Sequence, residues 1–112
     1  MLIVLQEKAV SRQIHEMLQE YGNMIKIVVD IRRTMLAGGS EMHADCESAL
    51  LKIGSEQDDL GGANWFPEEQ TIEFESLINI RPRLGNRSMI IQSPEIRQQV
   101  ETITRKILGD IT

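Results

Sequence analysis

The sequence predicts an α+β fold: one mixed, mainly antiparallel sheet of about five short strands with about three helices, in the order β-α-β-β-α-β-β-α. Three observations lead there. Strand-length apolar runs recur, as at residues 25–31 (IKIVVDI) and 71–81 (TIEFESLINIR). Apolar residues at helical spacing follow Ser11, and again follow Ser93-Pro94. The chain has 112 residues, the size of one ordinary domain, so residues 1–112 are read as a single domain with the helices on one face of the sheet.

Each element has its own signal. Residues 2–5 (LIVL) read as a short buried strand. Ser11 is a candidate N-cap for a helix whose face is Ile14, Met17, Leu18 and Tyr21, and Gly22 is placed to end it. Residues 25–31 read as a strand and residues 34–37 (TMLA) as its return partner, although the turn between them lacks an Asn-Gly pair. After Gly38-Gly39, Asp45 is placed to cap a short helix over residues 46–53, with Ala49, Leu50 and Ile53 inward and Gly54 as its stop. Residues 55–69, with acids, Gly61-Gly62 and Pro67, read as a long loop. Its Trp65-Phe66 pair suits either a plug for the core or a lid or interface.

Residues 71–81 form the clearest strand by alternation, with Ile72, Phe74, Ile78 and Ile80 on one face. Pro82 ends it, residues 84–86 turn, and residues 88–91 return as a further strand. Ser93-Pro94-Glu95 is a helix start with a cap, a proline at the first turn and an acid near the positive end. Ile96, Val100, Ile103 and Ile107 then mark the buried face, and Gly109 ends the helix.

Composition narrows the functional classes. There are four aromatic residues, so Ile, Leu, Val and Met must fill the core. The single cysteine, Cys46, rules out a disulfide within the chain and a cysteine-based zinc cage, and it fits a reducing compartment. No segment reaches the ~20 apolar residues of a membrane span. The first residues lack the basic and apolar pattern of a secretory signal. The expectation is a cytoplasmic protein with no membrane partner. The net charge of −5 argues against bulk nucleic-acid binding. It is unevenly spread: residues 41–75 hold ten acids and one base, a net −9, and the remainder holds eleven bases and seven acids, a net +4. Such a split serves either solubility or recognition.

Two clusters suit chemistry. If residues 41–45 are extended, Glu41, His43 and Asp45 point to one side. An imidazole between carboxylates can act as a general base or hold a divalent metal, but the spacing lacks the i, i+4 histidine pair of a zincin, and no metal is assigned. The structural alternative makes Asp45 a cap, His43 a hydrogen-bonded linker residue and Glu41 a solvated one. Cys46 near the start of the helix is a candidate thiolate or a small buried residue. The second cluster is Asn79, Arg81, Arg83, Asn86 and Arg87, three guanidiniums around a Gly-Asn turn. Their forks match carboxylates and phosphates in two-point contacts. The alternative is internal pairing with the acidic middle segment or with Glu73 and Glu75.

The runs VVDIRRTMLAGGSEMHADCE, LLKIGSEQDDLGGANWFP, IEFESLINIRPRLGNRSM and SPEIRQQVETITRKIL resemble the small prokaryotic family catalogued as domain of unknown function 5674. The resemblance spans most of the chain from about Met24 onward, with looser similarity before it. His43-Ala44-Asp45, Gly54-Ser55, Asp59-Leu60, residues 78–82 and residues 85–88 carry it together. A tryptophan often follows the Asp-Leu pair in that family, where this chain has Gly61. A glycine often precedes the acid at Glu41, where it has Ser40. The resemblance implies a cytosolic prokaryotic protein and brings no substrate, cofactor or catalytic residue.

Two classes of function are therefore expected. The first is a binding or regulatory module, with a homo-oligomer among its forms, recognising an anionic ligand or a protein partner through Arg81, Arg83, Asn86, Arg87 and Asn79. The second is a small hydrolase-like or metal-assisted enzyme using His43 with Asp45 and Glu41, and Arg81 as an anchor. The second requires His43 and Arg81 to share a pocket.

Overall fold

The computed structural model describes residues 1–112. Five strands form one sheet: β1 (Ile3–Leu5), β2 (Ile25–Asp30), β3 (Met35–Gly38), β4 (Leu60–Phe66) and β5 (Thr71–Glu73). Three helices accompany them: α1 (Ser11–Met17), α2 (His43–Lys52) and α3 (Pro94–Leu108). The spatial order is β1-β3-β2-β4-β5, and every neighbouring pair is antiparallel. The sheet is thus wholly antiparallel rather than mixed. No helix is long and apolar enough to cross a membrane.

The helices cover both faces, not one. In β2, Ile25, Ile27 and Val29 join Leu36, Ala63 and Trp65 in the larger core, under α1 and α3. Val28 points the other way, to Met35, Ala37 and Leu60, where Cys46 and Leu50 of α2 cover it. A strand buried on both faces reads as a nearly unbroken apolar run, as β2 does. Trp65 is fully buried within β4, with Arg105 over its ring at 5.4 Å. Such a side chain buries ~150–250 Å², about 4–6 kcal/mol at the usual coefficient.

The order of helices and strands matches the expectation, but the last two strands lie elsewhere. Residues 60–66, read as loop, are β4. The strand expected over residues 71–81 stops at Glu73, and the chain makes 3-10 turns at Leu77–Asn79 and Pro82–Leu84. Residues 88–91 form no strand, only a single bridge between Glu75 and Ile90. β4 escapes notice because LGGAN has no β-branched residue. Its glycines are required by what lies on them. A Cβ on Gly61 would stand 3.0 Å from Val100 of α3, and one on Gly62 would stand 2.6 Å from the Ser76 Cβ.

The helix ends also differ. α1 starts after Val10, whose N–H is capped by Gln13 Oε1 at 3.0 Å, and it ends at Met17. Tyr21 therefore lies outside it, exposed, donating to the Glu41 carbonyl at 2.5 Å. α2 starts at His43 with Met42 as its cap position. Asp45 is consequently inside the helix and accepts from Ser40 Oγ at 2.6 Å. Its buried face is His43, Cys46 and Leu50, while Ile53 is exposed. α3 is capped by Ser93 as expected, and Ile96 alone of its apolar stripe is exposed.

The β2–β3 turn needs no Asn-Gly because Asp30 closes it. Its buried carboxylate accepts from the backbone N–H of Arg32 and Arg33 at 3.0 and 2.9 Å, and from Ser55 Oγ at 2.6 Å. This is an aspartate turn in which the side chain replaces a backbone acceptor.

Gly62→Ala should destabilise the protein by about 1–3 kcal/mol, because the added methyl must displace residue 76 and the side chain of Ile78. Urea unfolding measures it. A midpoint equal to that of the unsubstituted chain would mean that the segment does not press on β4 as described.

Candidate functional site

Residues 76–93 leave the sheet after β5 and return to α3, and the arginines lie at their tip. This excursion is held by two asparagines. Gly62, two residues before Asn64, pairs with Val28 of β2 on one side but has no strand on the other, because the β4–β5 register ends at the Asn64–Glu73 pair. The Asn79 side chain takes that place. Its Oδ1 accepts from Gly62 N–H at 2.8 Å and its Nδ2 donates to Gly62 O at 3.0 Å and Met89 O at 3.0 Å. Asn86 folds the tip: Nδ2 donates to the carbonyls of Asn79 and Ser88, both at 2.8 Å, and Oδ1 accepts from Gln92 N–H at 2.7 Å. Gly85 turns the chain with φ of +84°. Both asparagines were expected at a ligand; the structure commits their side chains to the backbone.

The arginines are largely paired as well. Arg81 bonds Glu47 of α2 at 3.2 Å and the Leu60 carbonyl, with each charged side chain 15% exposed. Arg83 makes a two-point pair with Asp58 at 2.6 and 3.2 Å, in solvent. The hydrogen bond from Arg83 is the main reason the Asp58 carboxyl sits below its usual range. Arg87 forms no ion pair and is exposed. Glu73 and Glu75 pair with none of these arginines.

Asn79, Arg81 and Asn86 do converge on one cleft of about 320 Å³, between the arginine turn, the start of β4 and the first turn of α3. Ile31, Leu60, Gly61 and Ile91 line it with them, Asp58 and Asp59 also face it, and Leu84 and Ile96 form its lips. Arg83 and Arg87 lie outside it.

Glu41, His43 and Asp45 are not brought together. Period-two projection needs an extended backbone, and α2 begins at His43. His43 is 9% exposed, with Nε2 at 2.8 Å from the Ala63 carbonyl. Burial pushes its pKa down, opposed in part by that carbonyl and reinforced by Lys26. Glu41 is exposed, and no three His, Cys, Asp or Glu side chains converge to hold a metal ion. Cys46 is fully buried, and burial pushes its thiol up to about 11, away from thiolate chemistry. His43 lines a second cleft of about 280 Å³ that has no residue in common with the first. The meeting of His43 with Arg81 that the enzyme reading requires is absent. That second cleft contains Lys26 and Asn64, which the sequence reading did not single out, and Glu75, which it offered only as a partner for the arginines. The available signal was the alternation of β4, which sets a polar Asn64 between buried Ala63 and Trp65.

Two predictions follow from these environments. Arg81→Ala should cost about 2–4 kcal/mol, because it strands the part-buried Glu47 carboxylate and the Leu60 carbonyl, whereas Arg87→Ala should fall within about 0.5 kcal/mol of the unsubstituted chain. Chemical denaturation of both variants checks the contrast; equal effects would refute it. The second concerns pH. His43 binds its proton more weakly folded than unfolded, so below its ordinary value of 6.5 the unfolded chain takes up more protons and stability falls. The loss grows as pH drops from 6.5 through the depressed folded value. His43→Gln should flatten the decline measured between about pH 7 and about pH 5. An unchanged slope would show that His43 does not titrate abnormally.

No curated protein and no solved structure matches the chain. A family model described as "Protein of unknown function (DUF5674)" matches residues 3–107, nearly the whole length. With a match of that extent the chain belongs to the DUF5674 family.

Proposed function

We propose that this protein is a small binding module that docks a protein partner at the cleft beside the arginine turn, with an apolar side chain of the partner seated between Leu84 and Ile96. The observation that carries this reading is the lip of the cleft. Leu84 is 47% exposed and Ile96 38%, although Val100, Ile103 and Ile107 of the same helix are buried. Ile80 and Ile90 on the excursion are exposed too. Apolar exposure gathered on one element marks an interaction surface.

The charges favour a protein over a free anion. An anion in this cleft would meet Asp58 and Asp59 and a single guanidinium, Arg81, already bound to Glu47. Arg87, unpaired on the same excursion, suits an acidic residue of the partner at the rim. The rigid asparagine bonding serves such a role by presenting the apolar lip at no further ordering cost. The single thiol and the family resemblance are consistent with a cytoplasmic, prokaryotic setting. A second copy of the chain is the first partner to test.

The test is sedimentation velocity across a concentration series, followed by affinity capture from the native cytosol with quantified stoichiometry. A self-complex or a stoichiometric hetero-complex is expected, weakened ~30-fold or more by Leu84→Asp, as for a central contact. Arg87→Glu should weaken it less, and thermal stability should change little in either variant. Binding that is unaltered in Leu84→Asp, or no complex in either experiment, would remove the reading.

A further inference from the structure

We propose that the second cleft, over the α2 face of the sheet, is a binding site for a free α-amino acid with an apolar side chain. This site is separate from the docking cleft and does not depend on it.

The first argument is the polar wall of the cleft. Asn64 and His43 both line it, with the Asn64 side chain within hydrogen-bonding reach of the imidazole. Asn64 Nδ2 also donates to the Glu75 carbonyl at 3.4 Å, and His43 Nε2 donates to the Ala63 carbonyl at 2.8 Å. These bonds fix a polar wall beside which Lys26 and Glu75 stand.

The second argument is the charge pattern. Lys26 and Glu75 both face this cleft, and neither forms an ion pair within the chain. Lys26 is steadied by the Tyr21 ring, with Nζ 5.2 Å from its centroid. One unpaired cation and one unpaired anion on one cleft complement a zwitterion. The ligand carboxylate meets Lys26, and its ammonium meets Glu75. A dicarboxylate would face Glu75 and a diamine would face Lys26, each with like charge. A purely apolar ligand would leave both charges unmet.

The third argument is the remaining wall. Met42, Leu77 and Met89 line the cleft and are exposed. Methionines adapt to apolar groups of varied shape, so this wall accepts an aliphatic or aromatic side chain. The volume, about 280 Å³, lies at the foot of the usual range of ligand pockets, ~300–1,000 Å³, which suits a single amino acid and is too small for a nucleotide.

The experiment is isothermal titration of the purified protein with individual free amino acids up to about 10 mM, well above the dissociation constant of a weak specific site. Leucine, methionine and phenylalanine should bind saturably, and glutamate, lysine and glycine should bind at least about tenfold more weakly. N-acetyl-leucine and leucine amide, each lacking one charge, should lose binding by about tenfold or more. Glu75→Gln, an exposed change that keeps the fold, should do the same, and Lys26→Met likewise, with circular dichroism confirming that each is folded. Leu84→Asp, in the other cleft, should bind as the unsubstituted chain does. Absence of saturable binding by any apolar amino acid would overturn the proposal. Equal binding of the blocked derivatives, or full binding by Glu75→Gln, would overturn the assignment of a zwitterion.

Discussion

The fold turns on the pair of hydrogen bonds between the Asn79 side-chain amide and the peptide group of Gly62. β5 is three residues long and leaves the edge of β4 unpaired beyond Asn64. A buried strand edge must be satisfied, and the amide, carrying one donor and one acceptor in the geometry of a peptide, does so without a further strand. The close approach that this needs is possible only because Gly62 has no side chain. The same bonds anchor the excursion over residues 76–93. That excursion walls both clefts, with Asn79, Leu84 and Asn86 on one and Ser76, Leu77 and Met89 on the other.

The acidic middle of the chain and the basic flanks meet in the folded state. Arg81 reaches Glu47, Arg83 reaches Asp58 and Arg32 reaches Asp59. Part of the charge asymmetry thus stitches the excursion and the β2–β3 turn to the segment that leads into β4. The exposed pairs contribute little each. The Arg81–Glu47 pair is different, because it is largely out of solvent and its guanidinium also satisfies a strand carbonyl. Among the many charges that form no ion pair, Lys26 and Glu75 share one cleft, and Arg87 lies on the excursion.

Local chemistry carries much of this architecture in the open. The run IKIVVDI announces β2 because both of its faces are buried, and Ser93-Pro94 announces α3 because cap and proline act within one turn. β4 is concealed for the opposite reason. Gly61 and Gly62 lie where a side chain would meet Val100 and Ser76, and a strand segment shaped by its neighbours in this way has little strand propensity to read. The strong alternation after Thr71 misleads because Asn79 interrupts the ladder, a long-range event with no local sign. The candidate sites divide in the same way. The Gly-Asn turn and its arginines were visible as a cluster, and three of its residues share a cleft. That their side chains bind Gly62, Glu47 and backbone carbonyls depends on tertiary packing. So does the pairing of Asn64 with His43 in one wall, since they meet only when the first residue of α2 reaches β4.

The two apolar layers are unequal, and the chain's one thiol lies in the smaller. Cys46 packs with Val28, Met35, Ala37, Leu50 and Leu60, whereas Trp65 and the long α3 stripe lie across the sheet. The layer with fewer buried side chains is the one that opens at lower free energy. Cys46 can meet a reagent only during such openings. The rate at which it is alkylated under native conditions is therefore a clock for the detachment of α2 alone, timed against a tryptophan signal that reports the other side of the sheet.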